Sequence, residues 1–256
     1  MLSVKEPIAM PASPDELTFD YEPDERPSLL LEQRAPLELA TLVASPVFYG
    51  FGVQQGDGQP VITVPGFMGS DRYLVVMRNW LGRMGYTPFP SGINLCVGSP
   101  FELVATVIRS AEEAFAQLGR KVVLIGHSMG GILSRMAAWL RPDLVRHVIT
   151  LGSPLSRHPR QAAHPMVKAM ADMLIRDRTV SRTMEHGVAH TMTNQPLDDD
   201  IGITCVYTKE DPVVDWRSCV SNDPQMRSFE VQGTHTGLAW NPRVYKLVGR
   251  VLAQAA

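Results

Sequence analysis

Residues 122–131 read VVLIGHSMGG. Four apolar residues run straight into Gly126-His127-Ser128-Met129-Gly130, and a helical pattern follows over 129–140, ending before Pro142. A short continuous apolar run of this kind is the form of a strand buried on both faces of a parallel sheet. Gly-x-Ser-x-Gly at a strand-to-helix junction implies a very tight turn. The serine takes a strained backbone so that its hydroxyl stands clear of the sheet. Residues two places away approach neighbouring backbone, so any side chain there would clash. The Met129 amide opens the helix, where backbone N–H groups and the helix dipole favour negative charge.

Working outward, the same strand-then-turn form recurs. VITV at 61–64 runs into Pro65-Gly66, HVITLGSP covers 147–154, ITCVYT covers 203–208 and RSFEV covers 227–231; YTPFP, 86–90, is a further strand or strand edge. Helical patterns lie between them: 71–85 with Asp71 near its start, 100–118 closed by Gly119, and 242–253. Alternating strands and helices imply crossover connections and a mostly parallel central sheet with helices on both faces, an α/β fold. Ligands on such sheets sit beyond the carboxyl ends of the strands. The loops after Val64, Ile125, Leu151, Thr208 and Val231 are therefore where chemistry is sought. Residues 1–45 read as an N-terminal arm, rich in Pro and acids to about residue 27, followed by a helical segment from Ser28 interrupted near Pro36. Residues 46–256 read as the main domain.

The 256 residues suffice for one large α/β domain. With 45% hydrophobic and 20% charged residues the composition is that of a globular protein, and a net charge of −2 gives no general reason to bind nucleic acid or an anionic membrane. There is no run of 18 apolar residues to suggest a transmembrane helix. MLSVKEPIAMPASPDE has no apolar core of a secretory signal, so a cytoplasmic location is expected. Cys96, Cys205 and Cys219 are widely spaced, without metal-ligand spacing, and read as buried thiols. No metal or organic cofactor is expected.

GHSMGG resembles the elbow of the α/β-hydrolase superfamily, particularly its lipase and esterase branches, and the resemblance extends over roughly residues 60–254. It implies a Ser-His-acid triad in the chain order nucleophile, acid, histidine. Of seven histidines, His235 lies in VQGTHTGLAWNP, between the last strand and last helix, where the family carries its histidine. His127 adjoins the serine but is expected to point elsewhere on the turn. His147 starts a strand, away from the site, and His158, His164, His186 and His190 fall in an insertion. The acid is sought in YTKEDPVVDW: Asp211, followed by Pro-Val-Val, matches the family's pattern, with Asp215 second and Glu210 a solvated neighbour. The loop VPGFMGSD, 64–71, stands where bacterial lipases read His-Gly-x-x-Gly; Pro65 replaces the histidine. The oxyanion donors implied are the backbone amides of Phe67 and Met129, with Met68 beside them facing the pocket.

About fifty residues separate TLGSP from ITCVYT, more than a simple crossover needs, and in this family such an insertion is a cap or lid, here at about 156–200. Met166, Met170, Met173 and Leu174, then Met184, Val188 and Met192, have helical spacing and read as two short apolar-faced helices; these faces either pack on the body of the protein or form a roof in which Met166, Met170, Met173 and Met184 cover an apolar pocket. The resemblance implies a serine hydrolase acting on small-molecule carboxylic esters through an acyl-serine. An acyltransferase or thioesterase would use the same parts, and a non-catalytic binding protein on this scaffold would be expected to lack part of the triad.

Overall fold

The computed structural model describes residues 26–156, 162–174, 195–220, 223 and 225–254. Its centre is one six-stranded sheet, β1 (Pro60–Val64), β2 (Thr87–Pro90), β3 (Val122–His127), β4 (Val145–Leu151), β5 (Gly202–Tyr207) and β6 (Met226–Glu230). The spatial order is β2-β1-β3-β4-β5-β6, and every neighbouring pair is parallel. All six carboxyl ends therefore face the same side. The chain moves from β1 outward to β2, then crosses back to β3 and moves the other way to β4. Connections diverge at the β1/β3 boundary, so a crevice opens between the loops that leave these two strands.

The continuous apolar strands divide their residues between two cores because side chains alternate across a sheet. Ile62, Val64, Leu124, Val148, Ile203 and Cys205 pack beneath α3 (Pro100–Leu118) and α4 (Met129–Leu140), through Val104, Val107, Leu133 and Met136. Val61, Val123, Ile125, Ile149 and Val206 face α2 (Val75–Arg83) and α6 (Pro242–Gln254), where Met77, Trp80, Tyr245 and Val248 are buried. The Trp80 and Tyr245 rings meet edge to face, centroids 4.8 Å apart.

Two local expectations change. Pro36 does not interrupt a helix; it sits in the first turn of α1 (Ala35–Ala44), after a 3-10 helix over Leu29–Arg34. A proline there loses nothing, because first-turn amides have no intrahelical partner. Leu42 of α1 is fully buried in the second core. Asp71 does not start α2. Its carboxylate instead accepts hydrogen bonds from Ser91 N, Ser91 Oγ and Gly92 N, each 2.9 Å, and ties the loop after β1 to the loop after β2.

The elbow is built as its glycines require. A Cβ on Gly126 would overlap the Gly130 carbonyl, one on Gly130 would overlap the Val64 and Pro65 carbonyls, and one on Gly131 would overlap Ser153. Helix α4 is thus seated directly on the end of β1. Ser128 N donates to Leu151 O (2.8 Å) and Gly131 N to Ser128 O (3.0 Å), which pins the turn between β3 and β4. Gly130→Ala is expected to cost about 3 kcal/mol or more, because backbone rather than a movable side chain blocks the new methyl group. A urea midpoint equal to that of the wild type would show that the turn does not depend on this approach.

Candidate active site

Two non-glycine residues among those described have positive φ, Met68 (59°) and Ser128 (53°), and both lie in the crevice. Ser128 has ψ −124°, a sparsely populated conformation that costs on the order of 1–3 kcal/mol and persists only where its surroundings enforce it. Here the close approach of α4 to β1 enforces it. Gly66 completes the fit from the other side: a Cβ there would stand 2.9 Å from Ser128 Cβ and 3.0 Å from the His127 carbonyl.

Asp211 and His235 come from the loops after β5 and β6, the neighbouring strands at one edge of the sheet. Their side chains are 1% and 6% exposed, and His235 Nδ1 lies 2.7 Å from Asp211 Oδ2. Nδ1–H donates to the carboxylate, which leaves Nε2 as the basic atom of a neutral ring. The other oxygen, Asp211 Oδ1, accepts from Val213 N and Val214 N, both 2.8 Å. The Pro-Val-Val sequence after Asp211 therefore supplies the amides that orient the carboxylate. Thr208 Oγ1 donates to Gly233 O (2.8 Å) and joins the two loops. Burial opposes protonation of His235, but the charge and hydrogen bond of Asp211, with the charge of Glu32, outweigh it and raise the imidazole above its ordinary 6.5. Asp215 instead caps the 3-10 helix Trp216–Cys219, accepting from Arg217 N at 3.0 Å. Glu210 faces Arg34 at 3.6 Å on the surface.

A cavity of about 300 Å3 is lined by Gly66, Phe67, Met68, Gly69, Tyr73, His127, Ser128, Val167, Met170, Val213, His235 and Thr236. Ser128 and His235 thus share one space with Phe67. The loop 66–69 is held by Gly69 N to Gly66 O (2.8 Å), Met68 N to Cys96 O (3.0 Å) and Cys96 N to Gly69 O (2.8 Å). Met129, as the first residue of α4, carries one of the amides that a helix leaves without an intrahelical partner.

Of the methionines expected at the pocket, Met68 and Met170 line it, whereas Met166 and Met173 are 61% and 69% exposed and do not. They lie on α5 (Pro165–Leu174), whose cavity face runs through Val167 and Met170. Met166 and Met173 are two turns apart on one line and project beyond the edge of that face. Met184, Val188 and Met192, with His158, His186 and His190, lie outside the described residues. The base of α5 is tied to the acid loop by the antiparallel bridge Ala163–Val214 and by His164 N to Val213 O (2.8 Å).

Three further residues shape the site. His127 does not point away: it is buried, lines the cavity, and its Nε2–H donates to the His235 carbonyl at 2.9 Å. Burial, helped by the neighbouring His235, pushes His127 down to about 3, so it is neutral. Tyr73 donates its hydroxyl to Thr236 O (2.8 Å), and burial raises its phenol, keeping it protonated. Gly152, at φ +60° after β4, leaves room for the His235 ring, whose Nδ1 would stand 3.1 Å from an added Cβ. Nothing local in the sequence marks Tyr73; Gly152 is marked only as the glycine that ends a strand. The three cysteines are buried free thiols, with Cys96 pushed up to about 12 and Cys205 to about 11 by burial, which makes them inert as nucleophiles. Among the described residues no His, Cys, Asp and Glu cluster could hold a metal ion, and no helix is long and apolar enough to cross a membrane.

The model of the PGAP1-like alpha/beta domain matches residues 99–195, from α3 through the elbow and into the insertion. A triacylglycerol lipase of Burkholderia plantarii is 32% identical over 124 residues, 44% of this chain and 34% of that protein. A homoserine O-acetyltransferase of Symbiobacterium thermophilum is 30% identical over 110 residues, 40% of this chain and 29% of that protein. The aligned part thus spans about a third of the length of these curated relatives. Among solved structures, a metagenome-derived lipolytic enzyme superposes with a TM-score of 0.59 at 14% identity, over 79% of this chain and 95% of that one. A lipase of Bacillus licheniformis in its mature form gives 0.59 at 17% identity, over 78% and 94%. The chain has the α/β-hydrolase fold, and the proteins it is similar to include lipases.

The electrostatics separate the two adjacent histidines. On titration followed by NMR, His235 is expected to gain its proton above pH 6.5, while His127 stays neutral down to about pH 3. Asp211→Asn should move the His235 transition to lower pH, since burial then acts with less opposition. A His235 transition below 6.5 in the wild type would contradict this balance of charges.

Proposed function

We propose that the protein is a carboxylic ester hydrolase in which Ser128 is the nucleophile, His235 the base and then acid, and Asp211 the residue that orients and charges the histidine. The observation that carries this reading is the buried 2.7 Å Asp211–His235 pair facing the same cavity as a serine held at positive φ. An alkyl hydroxyl is a poor nucleophile at neutral pH and needs such a base. Ser128 Oγ attacks the ester carbonyl carbon as its proton passes to His235 Nε2. Asp211 stays ionised and stabilises the imidazolium. The tetrahedral oxyanion is received by the Phe67 and Met129 amides. Collapse expels the alcohol, which takes the proton from His235 and leaves an acyl-serine. Water then attacks that acyl group by the same proton route and releases the acid.

Met68, Val167, Met170 and Val213 give the cavity an apolar wall suited to an acyl chain, with α5 acting as part of a cap. A space of about 300 Å3 is at the small end for ligand sites, which favours short acyl chains. A second reading rests on the similarity to the homoserine O-acetyltransferase: the acyl-serine would pass to an alcohol rather than to water. Competition between added alcohols and water for the acyl group separates the two.

The test is hydrolysis of p-nitrophenyl esters from acetate to palmitate. Ser128→Ala should abolish turnover while leaving the thermal transition in place, and Asp211→Asn should lower kcat by about 10³–10⁴. The rate should peak at short chains, and kcat/KM should rise with pH through a transition above 6.5. Full turnover in the Ser128→Ala protein would refute the mechanism.

A further inference from the structure

The loop that carries His235 is held from an unexpected quarter, the N-terminal segment some 200 residues earlier in the chain. Glu32 Oε1 accepts from His235 N (2.8 Å) and Glu32 Oε2 from Thr236 N (2.9 Å). Glu38 Oε1 accepts from Thr234 N (2.8 Å) and its Oε2 from Thr234 Oγ1 (2.7 Å). Three successive amides, at 234, 235 and 236, thus end on two carboxylates. These amides open the short 3-10 helix Thr236–Trp240, where backbone donors have no partner within the helix. Charge-assisted bonds to carboxylate satisfy them more strongly than neutral acceptors could.

The loop is shaped around these side chains. A Cβ on Gly233, at φ +140°, would stand 2.9 Å from Glu38 Oε1, and one on Gly237 would overlap the Glu38 carboxylate. Gly237 is therefore matched to Glu38, while Gly233 is required by its φ and lies between Glu38 and Asn241. Farther back, Arg26 donates to the carbonyls of Ala162 (2.8 Å) and Val213 (3.3 Å). The segment 26–44 accordingly touches the histidine loop, the acid loop and the foot of α5.

We propose that Glu32, seconded by Glu38, is a positioning residue for His235: the N-terminal segment is a strap whose carboxylates fix the histidine backbone against Asp211 and place a second negative charge beside the imidazole. The proposal rests on His235 being the base of the reaction. Glu32 touches no substrate; it acts through the loop and through its charge. The groups facing His235 are Asp211 from the loop after β5, His127 from the end of β3, Glu32 from the 3-10 helix, and the Tyr73 hydroxyl on the adjoining Thr236 carbonyl. Burial keeps His127 neutral and Tyr73 protonated, so the two carboxylates are the charges that matter there. Removal of the Glu32 charge destabilises the imidazolium and must lower the pH at which His235 titrates.

The experiment combines two readings on the full chain: the His235 imidazole titration by NMR, assigned with His235→Gln, and the rate at which a fluorophosphonate labels Ser128. In Glu32→Gln the His235 transition should move to lower pH, and labelling at pH 8 should slow about tenfold through loss of one charge-assisted bond. Glu32→Asp keeps the charge and should leave the titration near that of the wild type. A merely structural contact would lower the thermal transition in both variants without moving the titration. An unchanged titration in folded Glu32→Gln overturns the proposal, whatever its labelling rate. Should that variant fail to fold, Glu32→Ala, which also removes the charge, decides by the same reading, with the same downward shift expected. Absence of labelling in the wild type would refute the hydrolase reading instead, and the titration would still decide the role of Glu32.

Discussion

Among the described glycines, the tightest approach to backbone is that of Gly130 to the end of β1. No side chain fits between the first turn of α4 and the Val64 and Pro65 carbonyls. That approach brings a helix amino terminus, a strand end and a loop to one point at the divergence of the sheet. Ser128 at φ 53° follows, because the chain has no other way to leave β3 and start a helix there. The Phe67 loop follows as well, since Gly66 is packed against Ser128 Cβ and the His127 carbonyl. The strain at one residue is thus sustained by the packing of the two central strands and their helices, which are among the most completely buried parts of the protein.

Around that rigid point the other groups are held by backbone hydrogen bonds more than by shape. Asp211 spends one oxygen on two amides and the other on His235, so it has little freedom to rotate. His235 is fixed at its ring by Asp211, at its amide by Glu32 and at its carbonyl by His127. Every polar atom of the residue except Nε2 therefore has a partner within the chain. This is the arrangement expected of a group whose remaining atom is to exchange protons, the role proposed for His235.

Residue type and physical requirement correspond closely at the central strands and at the elbow. Apolar runs ending in Gly or Pro marked β1, β3 and β4, because a strand buried on both faces has few other compositions open to it. The elbow was legible because only glycine fits three of its positions. Asp211 was singled out only by its resemblance to a family pattern; in the structure the Val213 and Val214 amides turn back on it, while Asp215 has its own helix to cap. The failures were of another kind. Periodicity placed Met166 and Met173 on an apolar stripe but does not say which part of a stripe meets the body, and the cavity face proved to run through Val167 instead. His127 was misdirected because the turn's geometry, not its sequence, decides which way residues beside the serine project. Tyr73, Glu32 and Glu38 are in no local pattern at all, since their partners lie 160 to 200 residues away.

That last case bears on how the N-terminal segment should be understood. An acidic stretch ahead of an α/β domain has the composition of an appendage. Residues 26–44 differ: Leu42 is fully buried in the core between α2 and α6, and the two glutamates reach the histidine loop. The glycine at 237 is matched to Glu38, because it is the Glu38 carboxylate that a Cβ there would meet first. The loop and the segment are therefore complementary at the level of single atoms. A truncation at residue 45 would expose three amides, two small-residue gaps and the Leu42 site together, and the first part of the protein to loosen would be the loop that holds His235.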